Sequence, residues 1–419
     1  MVKMAIKKPR VLFITPILRH PPVGGPYLRI ENTIKALSLF VDLCIYSRVS
    51  LESMGGETAF AFYRKYCRNF FFSPSTSLDQ GILAIINKIV NFIARKIMGR
   101  SALLFENADN RGLLRIIKVV KPDIIWLGYG NISYSLLKYI KSRSNLKVIL
   151  DTDSVWSRFI LRGLPYAKDE RAKKKIVISG DKKEQEEKMG TWLADVTTAV
   201  SEVDAEYYRA LAKHPLQVRI FSNVIDIEAY QKIPPVLKGF KKPCIYLAGS
   251  FGPRSPMEDA ARWVIREVLP LIRRKRPDLH FYIVGSGSDR TLVDNKDPDI
   301  TITGKISSVL PYLYHADVAV VPLRFESGTR FKILEAGACG IPVVSTTLGA
   351  EGIKVSSGRD ILIADTPEAF ASSVLRLVDN RVLARELGDN LRQLVRENYS
   401  ISSLVQEGKA ILNYLSNLS

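Results

Sequence analysis

Apolar runs of a few residues recur along this chain, each closed by glycine, proline or polar residues and followed by a stretch with helical spacing. Runs at 11–15, 43–46, 123–127, 148–150, 195–200 and 219–221 read as strands of one sheet. Runs at 244–248, 280–284, 300–304, 318–321 and 343–345 read as strands of a second. Apolar residues three or four apart predict helices over 28–40, 258–274, 309–315, 331–339, 367–377, 381–398 and 401–418. Continuous apolar strands alternating with helices predict an α/β fold, with two Rossmann-like, doubly wound parallel sheets. The Pro-, Gly- and Lys-rich stretch at 233–242 is the expected linker between a first domain, 1–232, and a second, 243–399. Two stretches fit less simply. The stretch 82–98 has helical spacing broken by Lys88, Arg95 and Lys96, and reads either as a basic amphipathic helix on a membrane surface or as a core-facing helix. The stretch 168–190, dense in both signs of charge, reads as a solvated helical face plus a mobile loop.

Composition narrows the class. The length suits two domains that each bury a core. Four scattered cysteines and four histidines have no metal-ligand spacing, so a reduced, metal-free cytoplasmic protein is expected. Basic residues before 11–18 mimic a signal peptide, but the apolar run is short and contains Pro16, so a first buried strand is the better reading. No segment reaches the ~20 apolar residues of a membrane span. The net charge is +19, and about +15 of it lies within 1–232. That excess predicts an anionic partner for the first domain, either a phospholipid surface or a phosphate-linked acceptor. No nucleic-acid reader motif accompanies it.

Candidate chemistry gathers at 319–352, which reads as strand, small-residue loop, helix and strand. Ser327-Gly328-Thr329 offers a loop and an N-cap at the start of a helix whose first amides lack partners, a ready anion site. Lys332 and Glu335 lie in the first turns of that helix. A carboxylate beside a phosphate site makes sense if it accepts hydrogen bonds from a diol such as a ribose. A second strand–glycine loop–helix carries Arg19, His20, Gly24 and Gly25. His20 is either a ligand contact or an exposed loop residue. Further strand ends supply Asn131, Asp151, Asp153 and Arg158. Asp151-Thr152-Asp153 has the spelling of an Asp-x-Asp metal motif, but lies in the first domain, away from the expected phosphate site.

The segment 319–352 resembles the donor-binding signature of the retaining GT-B glycosyltransferases of family 4 (glycosyl transferases group 1). Glu335, Ala336, Gly340, Pro342, Val343 and Val344 match its second half. Its first glutamate is replaced by Ser327, with Glu326 one residue early. A branch of the family carries Ser-Gly-Thr-Arg-x-Lys-Ile-Leu-Glu-Ala at this place. The segment 221–226 resembles the family's hinge, with Ser222 and Val224 in place of proline and glycine.

The resemblance implies a GT-B fold whose last helix, 400–419, returns to the first domain. It implies a nucleotide-diphosphate sugar as co-substrate, without a further cofactor or metal. Arg254, Lys332, Ser327 and Asp153 are the implied catalytic set. Gly25, Gly249, Gly285, Lys305, Gly328, Thr329, Arg330 and Glu335 are the implied donor-binding set. Transfer would go to a saccharide or lipid-linked acceptor in cell-surface polysaccharide synthesis, in the cytoplasm, with peripheral attachment to the inner membrane face left open. A non-catalytic partner subunit and a nucleotide-sugar epimerase or hydrolase are the alternatives.

Overall fold

The computed structural model describes residues 8–74 and 108–417, and the predicted helix at 82–98 lies outside them. The first sheet has the order β3-β2-β1-β4-β5-β6-β7 and is parallel throughout. Its strands are β1 (Arg10–Thr15), β2 (Asp42–Ser47), β3 (Asn69–Phe72), β4 (Ile124–Gly128), β5 (Lys147–Asp151), β6 (Val196–Ala199) and β7 (Val218–Ile220). The second sheet, also parallel, has the order β10-β9-β8-β11-β12-β13. It comprises β8 (Cys244–Ala248), β9 (His280–Val284), β10 (Ile300–Ile302), β11 (Val318–Val321), β12 (Val343–Ser345) and β13 (Leu362–Ile363). The central strands are buried along nearly their whole length, which is why they read as unbroken apolar runs. In each sheet the order reverses beside the first strand, so the loops after β1, β4, β8 and β11 open the crevice where α/β folds bind ligands.

Eight helices matter for the site. They are α1 (Gly25–Phe40), α2 (Trp156–Leu161), α3 (Glu170–Leu193), α4 (Glu202–Leu211), α5 (Pro256–Trp263), α6 (Phe331–Cys339), α7 (Arg381–Asn398) and α8 (Ile401–Ser416). The last returns to the first domain. Leu404, Ile411 and Leu415 enter its core, and Gly408 lets the ring of Phe40 approach so closely that a Cβ there would lie 2.4 Å from it. The chain therefore crosses between domains twice, and the crossings touch: Ile225 and Ser400 form a parallel bridge, and the Ile225 amide donates to the Tyr399 carbonyl at 3.0 Å.

The structure corrects several expectations. From Glu170 onward the charged stretch at 168–190 is part of one unbroken helix, α3, capped by Asp169, whose side chain accepts from the Ala172 amide. Its buried positions are Gly180, Glu187, Gly190 and Thr191. Gly180 meets Leu161 and Gly190 meets Tyr134, so this helix packs through glycines rather than through an apolar stripe. The helix predicted over 258–274 is α5, a π-turn at Val264–Val268 and a further turn at Leu269–Arg273. Pro270 accounts for the wide turn, since it has no N–H and crowds the carbonyl four residues back. The helix at 309–315 is one turn, Leu310–Leu313. Thr329 does not cap α6: Arg330 occupies the cap position with no side-chain capping bond.

Candidate active site

The two domains meet where the loop after β11 faces the loop after β5. A cavity of about 290 Å³ lies between them. Gly25, Arg29, Asp153, Ser154, Trp156 and Asn223 line it from the first domain; Glu326, Ser327, Gly328, Thr329 and Phe331 line it from the second. Gly328 has φ +81°, and a Cβ there would lie 2.8 Å from Ser154 Cβ. A Cβ on Gly25 would lie 2.9 Å from the Phe331 ring. Both glycines sit where one domain's backbone touches the other.

Hydrogen-bonding capacity is unmet on the 327–330 loop. Ser327 Oγ is buried with no partner, and so are Nε and Nη1 of Arg330, a side chain in a residue only 5% exposed. Arg330 has one weak bond, from Nη2 to the Leu348 carbonyl at 3.4 Å. Burial pushes its guanidinium below the usual arginine range, against the pull of Glu326, Glu351 and Asp204. The first amides of α6 are uncapped beside it. Buried donors without partners are costly, and an anion offers them acceptors. Lys332, one residue into α6, is half-buried and makes no ion pair among the described residues. Burial lowers its ammonium below the ordinary lysine range.

Glu335 does not stand free to meet a diol. Its Oε1 accepts from the Tyr230 hydroxyl at 2.9 Å, and burial raises its carboxyl while Tyr230 and Lys332 oppose that rise. Tyr230 belongs to a short turn, Ile227–Tyr230, just before the linker, and nothing in the local sequence marks it as a partner of Glu335.

Asp151 and Asp153 have different jobs. Asp151 is fully buried and paired with Arg29, and it also accepts from Trp126 Nε1 at 3.1 Å and Thr198 Oγ1 at 2.7 Å. Arg29 donates onward to Asn223 Oδ1 at 2.8 Å and the Phe221 carbonyl at 3.2 Å. This network braces the wall of the cleft, so the two aspartates do not act as one motif. Asp153 lines the cavity and accepts from Trp156 Nε1 at 3.1 Å. Burial pushes its carboxyl up to about 6, despite the nearby Arg29. Asn131 holds the loop: its Oδ1 accepts the Asp153 amide at 2.9 Å and its Nδ2 donates to the Ser154 carbonyl at 2.8 Å.

An acid raised in the folded state binds more protons folded than unfolded, so it favours folding below its unfolded pKa and loses that contribution as pH rises toward 6. Asp204 is also pushed up by burial to about 6 and adds to the same trend. An Asp153→Asn variant is expected to soften the loss of stability between pH 4 and 6, measured by urea unfolding across that range. An unchanged profile would mean that Asp153 does not titrate there.

Other sequence candidates fall elsewhere. His20 Nδ1 pairs with Glu31 at 2.8 Å and its ring stacks on Phe62 at 3.6 Å, a brace within the first domain. Arg254, at φ +59°, is exposed and lines a wider groove rather than this cavity. Lys305 is exposed and not part of the cavity. Gly285 and Gly249 hold two strand-end loops together: a Cβ on Gly285 would lie 2.0 Å from the Gly249 carbonyl.

A feature absent from the sequence reading is a clasp across the cleft. Arg162 holds both carboxylate oxygens of Glu351 at 2.7 Å and donates to the Glu326 carbonyl at 2.7 Å. Arg158 spans from Asp204 to Glu351 at 3.4 Å. Burial works against the Glu351 charge, but Arg162 and Arg158 hold its carboxyl below the usual range. The planar two-point pairing makes this the most directional contact between the domains. A Glu351→Ala variant is expected to open the molecule, read as a larger radius of gyration by small-angle scattering; an unchanged radius would show that other contacts hold the domains.

Two facing parallel-sheet domains, with the last helix returned to the first, define the GT-B fold. Solved structures agree. Sucrose-phosphate synthase from Thermosynechococcus elongatus superimposes with a TM-score of 0.69 at 17% identity, over 98% of this chain and 100% of that one. Anabaena HepE in complex with UDP-glucose superimposes with a TM-score of 0.62 at 10% identity, over 98% and 100%. Residues 242–380, within the second domain, match the family model for glycosyl transferases group 1. An uncharacterized glycosyltransferase of Methanocaldococcus jannaschii is 24% identical over 163 residues, 37% of this chain and 42% of that protein. A GDP-mannose-dependent monoacylated phosphatidylinositol monomannoside mannosyltransferase of Corynebacterium glutamicum is 24% identical over 236 residues, 51% of this chain and 60% of that protein. The chain thus spans about half the length of these two curated relatives.

Proposed function

We propose that this protein is a glycosyltransferase that moves a sugar from a nucleoside-diphosphate sugar to a saccharide or lipid-linked acceptor in cell-surface polysaccharide synthesis. The observation that carries the reading is the set of unpartnered donors on the 327–330 loop, at the open end of α6 and facing the other domain. In this reading Ser327, the Gly328–Arg330 amides and Lys332 take up the charge that grows on the departing diphosphate, without a metal. Fixed donors at developing charge are often the largest catalytic term. Glu335 exchanges its bond to Tyr230 for the ribose hydroxyls. Asp153, titrating near 6, orients the acceptor hydroxyl from the first domain. The nucleoside diphosphate leaves the anomeric carbon, taking up the charge, and the acceptor oxygen bonds to that carbon on the same face while its hydroxyl proton passes to the departing phosphate oxygen, so the anomeric configuration is retained. UDP-glucose in the HepE complex and GDP-mannose in the mannosyltransferase's name support a nucleotide sugar as donor class.

Isothermal titration against UDP, GDP, ADP and dTDP tests the reading. One nucleotide is expected to bind, with binding lost in Glu335→Ala. No binding to any of the four sinks the donor site and leaves a non-catalytic subunit as the better account.

A further inference from the structure

A second, wider cavity lies beside the one just discussed. It is an interdomain groove of about 1060 Å³ between α2 and the start of α3 on one side, and α5 and the loop after β11 on the other. Its floor is apolar: Phe159, Ile160, Tyr166, Ile176, Trp263 and Phe325. Phe159 and Tyr166 are 38% and 42% exposed, an unusual state for two neighbouring aromatic residues unless something covers them. The rings of Tyr166 and Phe325 pack at 4.4 Å, tilted by 32°, across the domain boundary and close the floor.

The rim is charged, and its charge is not balanced. Of its carboxylates, Glu258 and Asp259 pair with Arg262 and Arg324, and Asp169 caps α3 and lies near Lys168. Among the described residues, only Glu267 has no ion pair. Among them four cations have none either: Arg171 and Lys175 on one wall, Arg254 and Arg266 on the other. A small hydrophilic anion would leave the floor uncovered, and a neutral lipid would leave the rim charges unused. A molecule with both a hydrocarbon chain and a phosphate head uses both. Phe159 lines this groove and the cleft cavity alike, so the two are neighbours on either side of its ring.

We propose that this groove binds a lipid phosphate, its chain on the aromatic floor and its phosphate among Arg171, Lys175, Arg254 and Arg266. As the acceptor of the transfer proposed above, such a molecule would deliver its head to the cleft past Phe159. That use rests on the glycosyltransferase reading; the binding itself does not.

The test is a titration of the full chain with farnesyl phosphate, farnesol and inorganic phosphate, each in detergent-free buffer. Farnesyl phosphate is expected to bind at least about tenfold more tightly than either half-molecule. Reversing two rim charges, in the double variant Arg171→Glu/Lys175→Glu, is expected to weaken it by about tenfold or more. Ile176→Asp, on the floor, is expected to weaken it too. Both variants should keep the wild-type unfolding midpoint and nucleotide affinity. No binding of farnesyl phosphate, equal binding of phosphate alone, or unchanged affinity in the variants overturns the proposal. So does recruitment to phosphatidylglycerol vesicles that farnesyl phosphate fails to compete, which would make these cations a membrane-contact surface. Failure of every nucleotide to bind while farnesyl phosphate still does would sink the donor reading and leave this site standing.

Discussion

Replacing Lys332 with methionine is expected to raise the stability of the protein while lowering kcat by roughly 10²–10³, the usual cost of removing one fixed donor from developing charge. The two effects have one origin. Lys332 is held half-buried on the first turn of α6 without an ion pair, and burial lowers its ammonium below the ordinary lysine range. A base lowered in this way binds fewer protons folded than unfolded. Wild type therefore gains stability as pH rises toward the ordinary lysine value, and the methionine variant does not share that gain. Of the two carboxylates that act on Lys332, Glu335 keeps its bond from Tyr230 and Glu326 still faces the Arg330 guanidinium. Methionine fills the same linear space with an apolar chain. Thermal unfolding at pH 7 and steady-state kinetics with the nucleotide sugar named by titration check both halves. A variant that is less stable would show the ammonium to be a structural contact, and an unchanged kcat would remove Lys332 from the proposed chemistry.

The opposite outcome is expected at Asp151. An Asp151→Ala variant should lose about 3–5 kcal/mol, as buried pairs do when one partner goes. Arg29 is 2% exposed, and its remaining bonds reach only Asn223 and a carbonyl, neither of which carries charge. Trp126 and Thr198 would also lose their shared acceptor. The strands so tied are β4, β5 and β6, with α1 and the segment after β7, which together form the first domain's wall of the cleft. Urea unfolding is the measurement. A loss below about 1 kcal/mol, the level of an exposed pair, would mean that water reaches Arg29 in the variant.

These two residues mark what could and could not be read from the chain. The strands around the site, and α6 with its glycine stop, were legible because each buries a continuous or periodic apolar face, and periodicity is local. The loop at 327–330 was legible for the same reason, since its small residues sit between a predicted strand and a predicted helix. The role of Asp151 was not. A strand-end aspartate looks the same whether it faces a ligand or an arginine 122 positions away. The clasp was invisible for that reason too: Arg162 and Glu351 lie 189 positions apart and no local pattern joins them. Helix α3 was read as part helix and part loop because charge of both signs is dense along it, and the glycines that carry its packing leave no apolar stripe to mark one continuous helix. Arg254 was aimed at the cleft by resemblance. Its backbone is left-handed with the amide donating to Glu258, and the residue lines the groove beside the cleft.

The paired crossings at Ile225 and Ser400 have a mechanical consequence. Two strands of chain, laid side by side and bonded to each other, act like the two leaves of a door hinge. They favour a swing of the domains about one axis over twist and sliding, and closure along that swing sets Gly328 against Ser154. Cutting the chain at either crossing would leave the domains joined but free to roll, and the alignment of the cleft would be lost before either domain unfolded.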